Sequence, residues 1–132
     1  MTAPVDGEPR EGADRMPGAS AIQRVAGFLA LIAADGEASE PVERAFAACL
    51  AAIKPEALPP AAMPVWREIA RLLKSPAGKP IPVKAIAAIR SWPAVRVAEL
   101  VTHIRSLQMI LEATENDRLE DEIRDKIRRH YL

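Results

Sequence analysis

Four carboxylates lie within nine residues of one predicted turn, from Asp35 to Glu43. Hard cations such as Ca²⁺ and Mg²⁺ are bound by several oxygen atoms, so this acidic turn is a candidate cation site. It is not an EF-hand loop, because the Asp-x-Asp pattern is missing and the twelfth position from Asp35 is Phe46. In the alternative interpretation no ligand binds: Glu40 and Glu43 stabilise the amino end of a helix, and Asp35 belongs to the preceding turn.

The other nucleophilic and metal-ligating side chains form no recognised motif. Cys49, the one cysteine, lies on an apolar helical stripe, and no neighbour in sequence would lower its pKa, so we expect a buried structural thiol. His103 and His130 have no Cys, His or carboxylate at a recognised metal spacing. The sequence has no glycine-rich phosphate loop and no supported Ser/His/Asp set. We therefore predict that the protein is not an enzyme.

Composition and charge are those of an ordinary globular protein. The 132 residues predict one domain, with 49% hydrophobic and 27% charged residues. The 18 basic and 18 acidic side chains cancel, so no global charge favours a polyanion or an anionic membrane. The longest apolar run, residues 25–34, is too short to span a bilayer. We expect a cytoplasmic protein that has a protein partner or self-associates, with no membrane partner.

Apolar residues recur at helical spacing through most of the chain, and no alternating β-branched run occurs. The pattern predicts an all-α fold, a compact bundle of five to six helices over residues 20–132. The last helix is expected from about residue 119. Residues 1–19, rich in Gly, Pro and charge, are expected to form a disordered arm.

The predicted core takes residues from the apolar stripe of nearly every helix. Within the last helix, four apolar residues lie four positions apart on one face: Leu119, Ile123, Ile127 and Tyr131. One of them, Ile123, is assigned to the core. The whole predicted core is Ile22, Val25, Leu29, Ile32, Phe46, Leu50, Ile69, Leu100, Ile104, Leu107, Leu111 and Ile123.

The turn between the first two predicted helices reads ADGEASEPVE, from Ala34 to Glu43, and follows the apolar FLALIA. This pattern resembles the signature of TerB-like domains, the tellurite-resistance TerB family and its relatives, over residues 28–53. That signature carries A-D-G and then a Ser and a Glu at these offsets. The resemblance implies an all-helical fold of two pseudo-repeated helix pairs. It also implies a non-catalytic scaffolding or sensing module of a bacterial stress response.

The resemblance further implies a divalent-cation site built from acidic residues near the turns. Carried onto this sequence, its candidate metal ligands are Asp35 and Glu43, with Glu40 beside them. Asp117 is the counterpart in the second half of the chain, where residues 104–131 echo residues 22–50 at a near-constant offset. There Asn116-Asp117-Arg118 stands in place of A-D-G.

Three functional hypotheses remain open. The first is a TerB-like module that binds Ca²⁺ or Mg²⁺ at the acidic turn and acts through protein partners. The second is a structural subunit or adaptor of a larger bacterial complex, with Trp92 or the heptad-like stripe containing Leu100 and Leu107 as its contact surface. The third is nucleic-acid contact through Arg128 and Arg129, for which a solvated face interleaved with acidic residues is the alternative.

Overall fold

The acidic turn is held between the first two helices of the chain. In a computed structural model that describes residues 19–131, helix α1 spans Ala19–Asp35 and helix α2 spans Ser39–Ala45. Gly36 ends α1 as predicted: its N–H donates to the carbonyl of Ile32 at 2.8 Å, and its φ of 103° suits a residue without a Cβ. The predicted disordered arm lies outside the described residues, apart from Ala19, which begins α1.

The middle of the chain is irregular, as its prolines predict. The helical path of α2 continues as a π-helical turn over Phe46–Leu50, and short 3₁₀ turns follow at Pro55–Ala57 and Pro60–Ala62. Helix α3 spans Met63–Leu72. Helix α4 spans Val83–Ala87 and passes into a 3₁₀ turn over Ala88–Ser91.

The C-terminal part of the chain is one helix and not the expected pair. Helix α5 spans Ala94–Tyr131, 38 residues and about 57 Å of helical rise. The all-α prediction is confirmed, because the described residues contain five α-helices and no strand. The turn expected around Asn116-Asp117-Arg118 does not form. The second helix pair of the predicted pseudo-repeat is therefore a single continuous element.

The core surrounds the first half of α5, which packs against α1 and α3. Its buried seam consists of Val97, Leu100, Val101, Ile104, Leu107 and Leu111. Phe28 of α1 meets Phe46 edge-on, with 6.3 Å between the ring centroids. Trp66 is completely buried, which agrees with its interpretation as a core anchor.

The predicted core list is correct except for its last member. Nine of the twelve residues are buried, and Ile22 and Leu29 are half-buried against the same cluster. Ile123, however, is 57% exposed, so its assignment to the core is wrong. The periodicity around Ile123 does belong to a helix, but no other element of the described residues covers that part of it.

We expect truncation of Leu107 and Ile123, on one and the same helix, to have very different effects on stability. Leu107 is fully buried, so Leu107→Ala should lower the free energy of unfolding by about 2–5 kcal/mol. Ile123→Ala should change it by less than about 1 kcal/mol, because little buried contact is lost. Urea unfolding followed by circular dichroism measures both values. Equal losses would contradict the boundary of the core at Leu111.

Candidate functional site

Two arginines from distant parts of the chain bind two carboxylates of the acidic turn, those of Glu37 and Glu43. The guanidinium of Arg105, on α5, lies 2.6 Å from a carboxylate oxygen of Glu37. Arg90, in the turn after α4, lies 3.1 Å from a carboxylate oxygen of Glu43. These pairs connect the segment to two elements that are 68 and 47 positions away in sequence.

The ion pairs alter what this segment can do chemically. A cation bound through Glu43 would have to compete with Arg90 for the same carboxylate, because Arg90 already supplies the positive charge. Asp35 and Glu40 are exposed, and Glu40 lies 3.8 Å from Arg44 of its own helix. Among the described residues, no group of three or more His, Cys, Asp and Glu side chains converges as a metal site would require.

Asp117 does not join the acidic turn. Glu37 marks the level of the turn along α5, since it binds Arg105. Asp117 lies twelve positions further on the same continuous helix, or about 18 Å of rise. It is an exposed residue within a helix and not part of a second turn. The structure thus keeps three predicted ligands in one segment and places the fourth elsewhere.

The amino end of α2 agrees in part with the alternative interpretation, in which the acidic residues stabilise a helix and bind no ligand. Glu40 lies in the first turn, where the helix dipole favours a negative charge. Ser39 does not cap the helix: its hydroxyl donates to the carbonyl of Arg90 at 3.0 Å. Both Ser39 and Glu43 therefore hold the segment around Arg90 against α2.

We expect one experiment to decide between the two interpretations of the acidic turn. If the turn binds a divalent cation, Ca²⁺ or Mg²⁺ at a hundred times its dissociation constant adds about 2.7 kcal/mol to stability and raises the melting temperature by several degrees. The Asp35→Ala, Glu43→Ala double variant should then lack the rise. Arg90→Met should enlarge it at subsaturating cation, because the competing guanidinium is gone. Identical melts in EDTA and in each cation would eliminate the site.

Cys49 is half-buried on the π-helical turn and faces α1. A Cβ at Gly27 would lie 3.3 Å from its Sγ, so glycine lets the two segments approach closely. Burial raises the pKa of the Cys49 thiol, and the charge of Arg24 opposes this only in part. These properties fit the expected structural thiol and not a nucleophile.

We expect Cys49 to be a poorly reactive thiol in the folded chain. Its raised pKa means that a smaller fraction is thiolate at pH 8 than in an unperturbed cysteine, and half-burial also restricts access. Iodoacetamide labelling followed by mass spectrometry should be slower for the folded chain than for the chain unfolded in urea at the same pH. Equal rates would contradict this expectation, and faster labelling of the folded chain would show that the thiol is activated.

Neither contact surface predicted for an adaptor is freely available. Leu100 and Leu107 are fully buried, so the heptad-like stripe belongs to the core and is not an interface. Trp92 is half-buried, with the guanidinium of Arg96 4.4 Å from its ring centroid. Arg96 also donates to the carbonyl of Leu72 at the end of α3, and Trp92 packs against the core cluster. Its interpretation as an interhelix anchor fits this arrangement better than an exposed binding anchor does.

Among the described residues, four of the eight large apolar side chains that are exposed lie together on the second half of α5. We call Leu119, Ile123, Ile127 and Tyr131 the terminal stripe; these residues are 42%, 57%, 53% and 78% exposed. Their four-residue spacing was visible in the sequence, but its exposure was not. The last buried residue of α5 is Leu111, so the stripe begins eight residues beyond the core.

Charged side chains stabilise this half of α5 internally. Arg118 bridges Glu115 and lies 2.6 Å from Glu122, and hydrogen bonding to Arg118 lowers the pKa of Glu115. Arg124 pairs with Asp121 at 2.9 Å. Such pairs three or four positions apart support a helix that receives no packing from a core. Arg128, which was proposed for nucleic-acid contact, likewise lies 4.0 Å from Asp125.

Comparison with known proteins finds no matching protein-family model, curated protein or solved structure. The resemblance to TerB-like domains therefore stays a prediction from the turn motif. None of the described helices is long and apolar enough to cross a membrane.

Proposed function

We propose that this protein is a non-enzymatic helical module that acts by protein–protein contact through the terminal stripe on α5. In this proposal the globular part, from α1 to Leu111, anchors the first half of α5 and leaves the second half accessible to a partner. The observation that carries the proposal is the exposure of four large apolar side chains on one face of a helix that extends past its core. Apolar side chains grouped in this way on a soluble domain commonly mark an interaction surface.

The spacing of the terminal stripe indicates what kind of partner it fits. Residues four apart form one of the ridges along which α-helices interdigitate. The stripe is narrow and flanked by charged residues, including Glu122 and Arg124. An amphipathic helix with charged flanks of its own matches this surface better than a small molecule does, since small molecules usually bind in concave sites.

Binding of a divalent cation at the acidic turn is a second proposal, which the resemblance to TerB-like domains motivates. Asp35 and Glu40 are exposed and within reach of a hydrated ion. Such a module would act in a bacterial stress response, and the cation would adjust its contact with a protein partner. The arginines bound to Glu37 and Glu43 favour the protein-contact proposal over this one.

We expect a photo-crosslinking amino acid in place of Ile127 to capture a partner in cells that express the protein naturally. A residue on the terminal stripe lies against the bound helix, so irradiation should give a discrete covalent adduct, detected by immunoblotting and identified by mass spectrometry. Val83 is the matched control, because it is an aliphatic residue that is 80% exposed on α4, outside the stripe.

An adduct from position 127 that is absent from position 83 supports the proposed function, whichever protein is captured. No adduct from position 127, or the same adducts from both positions, would contradict it. The captured mass also shows whether the stripe binds a second copy of this chain or a different protein.

A further inference from the structure

We infer that the terminal stripe pairs with the same segment of a second copy of the chain, in antiparallel orientation. This inference rests on the function proposed above and names the helix that the stripe binds. Three features of residues 112–131 support it: the order of their charges, the spacing of their apolar residues and their distance from the core.

Charge is segregated along this half of α5. Residues 112–122 contain six acidic side chains and one basic side chain, Arg118, for a net charge of −5. Residues 123–131 contain four basic side chains and one acidic side chain, Asp125, for a net charge of +3 with histidine neutral. A parallel pair would place acidic segments side by side and basic segments side by side. An antiparallel pair places each acidic segment against a basic one, which electrostatic complementarity favours.

The apolar residues match in the same orientation. About a twofold axis at the level of Asp125, Ile123 lies opposite Ile127 of the second copy, and Leu119 lies opposite its Tyr131. The two isoleucines at the centre of the stripe then face each other, and Leu119 and Tyr131 flank them at the two ends. Asp125 is about 200° around the helix from both Ile123 and Ile127, so no charge is buried at the axis.

The flanks of the stripe are complementary in this register as well. Glu122 comes close to the level of Lys126 of the second copy, and Glu120 comes close to its Arg128. Twofold symmetry repeats each of these pairs, so one register forms four attractive contacts. All four side chains are exposed in the single chain, and Glu122 shares its carboxylate between Arg118 of its own helix and Lys126 of the second copy.

The geometry of the fold leaves room for this pairing. Leu111, the last buried residue, is eight residues and about 12 Å before Leu119. The globular parts formed by residues 19–111 of the two copies therefore lie at opposite ends of the paired helices and do not obstruct the contact. Only four apolar side chains from each copy are covered, well short of a standard interface, so the dimer should be reversible.

We expect sedimentation equilibrium of the purified full chain, from about 1 to about 500 µM, to show a reversible monomer–dimer equilibrium. The Ile123→Gln, Ile127→Gln variant should be monomeric throughout this range, because the centre of the stripe is no longer apolar. The matched control, Val83→Gln with Val95→Gln, replaces two residues that are 80% and 81% exposed outside the stripe, and it should dimerise like the unmodified chain.

The orientation is tested by Glu120→Lys with Glu122→Lys. In an antiparallel dimer these lysines face the basic segment of the other copy, so the dimer should weaken about tenfold or more. In a parallel dimer the same change relieves repulsion between acidic segments and strengthens association. Circular dichroism of each variant verifies that α5 remains helical.

Two outcomes would overturn the inference. A chain that stays monomeric at every concentration has no self-pairing stripe, and stronger association of the lysine variant would exclude the antiparallel orientation. A monomeric chain leaves the proposed function standing if photo-crosslinking at position 127 captures a different protein. Failure of both experiments removes the stripe as an interface altogether.

Discussion

The structure depends on burial of one seam, the apolar side chains from Val97 to Leu111 on α5. Helices α1 and α3 both pack on this part of α5, and through α1 the acidic turn is held at its level. A short helix such as α4, five residues long, has little stability of its own and owes its place to the same core. Packing of one long helix therefore organises a chain whose middle, rich in proline, forms only short or irregular elements.

Arginines make the polar connections around this core. Arg90, Arg96 and Arg105 each reach a group on a different element: a carboxylate of α2, a backbone carbonyl of α3 and a carboxylate of the acidic turn. In the first pair Arg90 is 60% exposed and Glu43 is 14% exposed, and in the third pair both partners are about half-exposed, so solvent screening reduces the energy of each pair. Their effect is on position and charge. They hold the acidic turn close to the core, and they occupy carboxylates that would otherwise be free to bind a cation.

Helix α5 passes through two environments, and its sequence changes accordingly. Up to Leu111 its apolar residues alternate at three and four positions, which keeps them on the side that faces α1 and α3. Beyond that point the spacing becomes four throughout, so the apolar face turns about 40° with each step and leaves the direction of the core. Local ion pairs around Arg118 maintain the helix where packing no longer does. A rigid helix with a separate apolar face is well suited to bind another helix.

The all-α class, the stop of α1 at Gly36 and most of the core could be predicted from the sequence, because helical periodicity and glycine conformation are local properties. The continuity of α5 could not, since Asn116 and Asp117 are weak helix formers; in the structure, the pairs of Arg118 with Glu115 and Glu122 support the helix there. The sequence also could not tell that the stripe around Ile123 is exposed. A periodic stripe specifies a helix face, but whether that face is covered depends on which other elements pack on it, and local sequence does not encode those contacts. The same holds for the acidic turn, whose carboxylates are visible in sequence while the arginines that bind them come from 47 and 68 positions away.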